Sequence, residues 1–97
     1  MYARVARWEG GEPEAIRGFV QRVNADAGSG PPEGVPAKGL LLLADPDGGR
    51  SIAITLFETE ADMRQGDATF NQMSPGDDAV GSRASVEMYE VGAEFRL

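Results

Sequence analysis

The chain of 97 residues carries 16 acidic against 9 basic side chains, a net charge of −7, with 41% hydrophobic residues and neither cysteine nor histidine. That composition predicts one small domain over residues 1–97 with a modest core, and it excludes disulfides, thiolate nucleophiles, Cys–His zinc sites, imidazole bases and a histidine haem ligand. The acidic balance repels phosphate backbones and anionic lipid, so neither nucleic acid nor membrane is an expected partner, and no apolar run reaches the roughly 20 residues of a bilayer span. Carboxylates are the ordinary metal ligands that remain, and their spacing forms no EF-hand loop, so no metal and no cofactor is expected. The N-terminal MYARVARWEGG has no signal-peptide apolar stretch before its first acidic residue, which predicts a cytoplasmic protein.

Tyr2 to Trp8 reads as a strand, with Tyr2, Arg4, Ala6 and Trp8 on one face and Ala3, Val5 and Arg7 on the other. Gly10-Gly11 ends it, and Glu12-Pro13-Glu14 opens a helix whose acids suit the positive end of the dipole. Ile16, Phe19, Val20 and Val23 form the apolar stripe of that helix, which ends near Ala27-Gly28. Gly28 to Gly39 is rich in Gly and Pro and reads as a long surface loop, with the length of a lid. Leu40 to Ala44 is apolar throughout, the pattern of a strand covered on both faces. Asp45-Pro46-Asp47-Gly48-Gly49 is a hairpin turn, and Ser51 to Phe57 is the return strand. Its Ile52, Ile54 and Leu56 face opposite to Ala53, Thr55 and Phe57.

The segment ITLFETEADMRQGDATF (54–70) changes period from strand to helix with no Gly or Pro between. Thr59 is a good N-cap, and Asp62 follows three residues later where the acid of a capping box belongs. Met63, Phe70 and Met73 fall on the side that would face a sheet, with small Gly66 beside them. Ser74-Pro75-Gly76 ends the helix, Asp77, Asp78 and Gly81 belong to a loop, and Arg83 to Val91 is the last strand. Phe95 and Leu97 are the apolar residues of the tail.

The order β-α-β-β-α-β is the split βαβ pattern, a ferredoxin-like α+β fold with a four-stranded antiparallel sheet and two helices on one face. The other face is left without cover, yet Phe57 and Leu56 point opposite ways and both need burial. Two copies closing their uncovered faces is the simplest completion, so a homodimer is expected.

Two stretches, Gly39-Leu-Leu-Leu-Leu-Ala-Asp before a Gly turn and ITLFETEADMRQGDATF (54–70), carry a resemblance. In them, and in element order over nearly the whole chain, the protein resembles small dimeric α/β-barrel proteins of the antibiotic-biosynthesis monooxygenase (ABM) type. The resemblance implies two sheets closing into a barrel, helices outside, and a pocket between each subunit's helices and sheet. It also implies a range of activities: cofactor-free oxidation of phenols to quinones, haem degradation, decarboxylation or dehalogenation of small molecules. The haem-degrading branch uses histidine, which this chain lacks. The quinone-forming branch sets Asn, Trp, Tyr and Arg around the phenol, residue types that occur here as Asn24, Trp8, Tyr89 and Arg4.

The candidate pocket residues are Arg4, Trp8, Asn24, Phe57, Met63, Phe70, Glu87 and Tyr89. Trp8 fits an aromatic pocket wall or a core or interface position. Arg4 suits a phenolate or other anionic oxygen, or else a strand ion pair with Glu87 or Glu90. Tyr89 could orient a substrate hydroxyl beside Glu87 as a base of raised pKa; the alternative is an interface tyrosine and a solvated acid. Asn24 polarises a carbonyl or finishes its helix. Phe57, Met63 and Phe70 line a cavity or fill it. Two functions are therefore expected to compete: a cofactor-independent monooxygenase acting on a small aromatic or phenolic molecule, and a non-catalytic dimeric ligand-binding or scaffold module.

Overall fold

The structure is a computed structural model that describes residues 1–26, 28, 30–72 and 81–95. The expectations for Ala27, Met73, Ser74-Pro75-Gly76, Asp77, Asp78 and Leu97 lie outside the described residues. The elements follow the expected order: β1 (Tyr2–Glu9), α1 (Pro13–Asp26), β2 (Gly39–Asp45), β3 (Arg50–Phe57), α2 (Glu60–Gln72) and β4 (Ser82–Glu90). The four strands form one antiparallel sheet in the order β2-β3-β1-β4, the ferredoxin-like arrangement.

Local chemistry accounts for the joints. Pro13 occupies the first position of α1, where its missing N–H costs no hydrogen bond. In the β2–β3 turn, Asp45 Oδ1 accepts from Gly48 N at 3.2 Å and Pro46 O accepts from Gly49 N at 3.0 Å. Gly49 has φ +71°, and a Cβ there would stand 2.8 Å from the Gly11 carbonyl oxygen. Gly11 N donates to Gly49 O at 2.9 Å, so the hairpin docks on the break that follows β1. Between β3 and α2 only Glu58 and Thr59 intervene. Thr59 Oγ1 caps the helix by accepting from Asp62 N at 3.1 Å, which replaces a loop.

Register decides the two faces, because antiparallel partners point the same way. Arg4 lies opposite Thr55 and Met88, Ala6 opposite Ala53 and Val86, and Tyr2 opposite Phe57. This is the side the helices cover. Phe57, Met63 and Val35 form its buried cluster, with Tyr2, Ala37 and Phe70 packed around it. Phe57 is wholly buried and so is Ile16 of α1; burying one such side chain stabilises by about 2–3 kcal/mol. Gly66 is small for a reason: a Cβ on it would stand 2.5 Å from Cζ of Phe57.

The opposite, bare face carries Ala3, Val5 and Arg7 of β1, Ile52, Ile54 and Leu56 of β3, Leu41 and Leu43 of β2, and Glu87 and Tyr89 of β4. Leu41 and Leu43 are 55% and 49% exposed. β2 therefore departs from the expectation of a strand covered on both faces. It lies at the sheet edge, and Leu40, on the helix side, is also 51% exposed.

Candidate functional site

The eight candidate residues separate into two groups and two outliers. Arg4, Phe57, Met63 and Phe70 lie together between the sheet and α2. Glu87 and Tyr89 lie on the bare face, on the other side of the sheet. Asn24 is exposed on α1, and Trp8 is half-buried at the end of β1, where the β1–β4 register shifts.

Arg4 is almost fully buried, and its partner is Asp67 of α2 rather than Glu87 or Glu90. Nε donates to Asp67 Oδ1 at 2.8 Å, and the guanidinium lies 4.8 Å from the ring centre of Phe70. Strand alternation explains the correction for Glu87, which stands opposite Val5 with its side chain on the other face, while Glu90 shares the face of Arg4 but stands opposite Tyr2. The polar chain continues as Asn71 Nδ2 donates to Asp67 Oδ2 at 3.3 Å and Arg83 Nη1 donates to Asn71 Oδ1 at 2.6 Å. Arg4 Nη2 is buried without a hydrogen bond among the described residues. An ion pair and a ring stacked on one guanidinium tie α2 to the central strand. They use the positive charge that a phenolate would have required.

The space under α2 holds the buried cluster of the core. Phe57 and Met63 occupy it together with Val35, which sequence reasoning missed. Val35 is the single large apolar side chain between Gly28 and Gly39, and that isolation among Gly and Pro was the available signal. It enters the core while Gly34 O accepts from Thr69 Oγ1 at 2.8 Å and Leu56 O accepts from Lys38 N at 2.7 Å. The described part of the loop is thus anchored to α2 and β3, a plug rather than a suspended lid.

On the bare face, Glu87 accepts from Arg7 Nε at 3.0 Å and from the Tyr89 hydroxyl. The tyrosine hydrogen bond first, and then the arginine, hold the Glu87 carboxyl below the usual carboxylate range. The same bond raises the Tyr89 phenol above its usual value. Glu87 is therefore the reverse of the expected base of raised pKa, since both neighbours favour its anion.

Two open recesses lie at the ends of the sheet. One, of about 330 Å³, is lined by Arg7, Trp8, Leu43, Asp45, Arg50 and Ile52 among others. The second, of about 430 Å³, is walled by Met1, Leu40, Leu41, Leu56 and Phe95, with Lys38 and Glu94 also contributing. Among the described residues no group of three or more acids is placed to hold a metal ion, and no helix is long and apolar enough to cross a membrane. No protein-family model, curated protein or solved structure matches this chain.

Proposed function

We propose that this chain works in the cytoplasm as a homodimer of ABM-like architecture, two copies closing their bare sheet faces into a barrel, and that it is a ligand-binding or scaffold module rather than an oxygenase. The observation that carries the reading is the bare face itself. Val5, Ile52, Ile54 and Leu56 are half-buried there, beside the exposed Leu41, Leu43 and Tyr89. A contiguous apolar surface of this kind marks an association site, and a second copy supplies a surface of the same character under a two-fold.

The packed cluster under α2 weighs against cofactor-free oxygenation within one subunit. Phe57, Met63 and Val35 pack together there, and Arg4 is engaged by Asp67 and Phe70. The ligand of the module is a small apolar or aromatic molecule. Its place is the recess of about 430 Å³, whose walls are mainly apolar and whose Leu41 and Leu56 belong to the bare face.

Light scattering at micromolar concentration tests the assembly. The expected species has at least twice the 10.3 kDa mass of one chain, and a species of one chain ends the reading. Oxygen uptake with phenolic substrates tests the other half; turnover there would restore the oxygenase.

A further inference from the structure

Beyond β4 the chain runs back across the ends of the other strands. Val91 N donates to Met1 O at 2.9 Å, which carries the pairing of β4 with β1 one step further. Glu94 and Phe95 then wall the recess of about 430 Å³ together with Leu40 and Leu41 of β2 and Leu56 of β3. β4 and β2 are opposite edges of the sheet, three strand spacings or roughly 14 Å apart. Residues 92–95 reach about 13 Å when extended, enough to cross from one edge toward the other. Little holds them there. Among the described residues no hydrogen bond joins residues 92–95 to the sheet, and a Cβ built on Gly92 would meet nothing within 4 Å. Phe95 borders an apolar recess with its ring 82% exposed. Burial of that ring is favourable, and a molecule seated on Leu40, Leu41 and Leu56 would give it apolar surface to cover.

We propose that residues 92–95 are a strap over this recess, fixed at Val91 and hinged at Gly92, which closes Phe95 onto a bound apolar molecule and holds it against Leu40, Leu41 and Leu56. The inference rests on the recess being the ligand's place in the proposed function. It gives residues 92–95 the lid role that the length of the Gly28 to Gly39 loop suggested. That loop is pinned by Thr69 Oγ1 on Gly34 O and by Lys38 N on Leu56 O, and it buries Val35 in the core. The strap has one backbone bond, at its base, and its one large apolar side chain faces water. A segment so lightly held opens and closes at small cost, as lids over binding sites must.

Phenylnaphthylamine, a neutral probe that fluoresces on leaving water, reports occupancy of the recess by titration and by stopped flow on the full chain. Three variants, each confirmed as folded by circular dichroism, separate the outcomes. Leu40→Lys puts a charge in the recess wall while leaving the bare face intact, and is expected to weaken probe binding about tenfold or more. Phe95→Ala is expected to weaken it about fivefold, with the loss in faster release. Gly92→Val fits the open space around Gly92 but narrows its backbone freedom. It is expected to slow entry and release together by roughly threefold, the mark of a moving part rather than of a fixed wall. Binding that Leu40→Lys weakens and Phe95→Ala leaves unchanged would keep the recess and overturn the strap. An effect of Phe95→Ala with both rates unchanged in Gly92→Val would make Phe95 a fixed wall, which also overturns the strap. Binding indifferent to Leu40→Lys and Phe95→Ala alike, or no binding by the wild type, would overturn the strap and the recess together.

Discussion

The two faces of the sheet use the same residue types to different ends. On the helix side, Phe57 of β3 meets Met63 and Gly66 of α2 and Val35 from the long loop. On the bare side, Leu56 and Ile54 of the same strand meet no helix among the described residues. Alternation along β3 hands apolar groups to both sides, and the fold has helices enough for one. The difference teaches that one strand can pack a core on one side and leave its apolar groups half-buried on the other. Among the described residues, the one buried charge on the covered side, Arg4, pairs with Asp67 of α2.

Substitutions on the two faces should therefore behave differently, and Phe57→Ala against Leu43→Ala is the sharpest test. In an Ile54→Lys background that suppresses face-to-face association, Phe57→Ala is expected to cost about 3–5 kcal/mol in urea unfolding. Leu43→Ala should cost less than about 0.5 kcal/mol, as an exposed position does. Similar losses would mean that the faces are equally packed within one chain.

Asp67→Ala comes next, since it strands the buried Arg4. Its expected cost is about 3 kcal/mol, toward the low end for breaking a buried pair because Asp67 keeps some exposure. Arg4→Met, which removes the charge and keeps the volume, should cost clearly less in the same unfolding experiment. A smaller loss for Asp67→Ala than for Arg4→Met would show that packing on Phe70, rather than charge, holds α2.

Gly66→Ala is expected to cost about 1–3 kcal/mol by overpacking against Phe57. In Phe57→Leu that cost should shrink, because the ring edge in its way is gone. A double-mutant cycle without coupling would place the strain elsewhere.

The smallest effects belong to the polar cluster of the bare face, which is exposed. Glu87 has its folded pKa lowered, so its contribution is present above the unfolded carboxylate value and is lost as pH falls through the folded one. Tyr89 has its pKa raised, so its contribution is present below the unfolded phenol value and is lost as pH rises through the folded one. Nuclear magnetic resonance titration of the Glu87 carboxyl should show Tyr89→Phe moving it upward more than Arg7→Met does. The opposite order would assign the shift to the guanidinium.

Element order, the Asp45–Gly49 turn, the Thr59 cap and the two faces of each strand were legible in the sequence, because they depend on near neighbours. Period two and period 3.6 say which side chains share a face, and Gly, Pro and Thr mark where the chain must turn or start a helix. Val35 was missed because a lone valine in a Gly/Pro loop has no period to reveal it. Asp67 was missed as the partner of Arg4 because the pairing crosses from strand to helix over 63 positions. Alternation offered Arg4 the acids of β4 without saying which side of the sheet they take. By itself, then, the sequence determined the elements and their two-faced strands, since those follow from local sterics and periodicity. Tertiary structure alone decided which face the helices cover, that Phe57, Met63 and Val35 cluster beneath α2, and that β2 lies at the edge of the sheet, since each depends on which distant segments pack together.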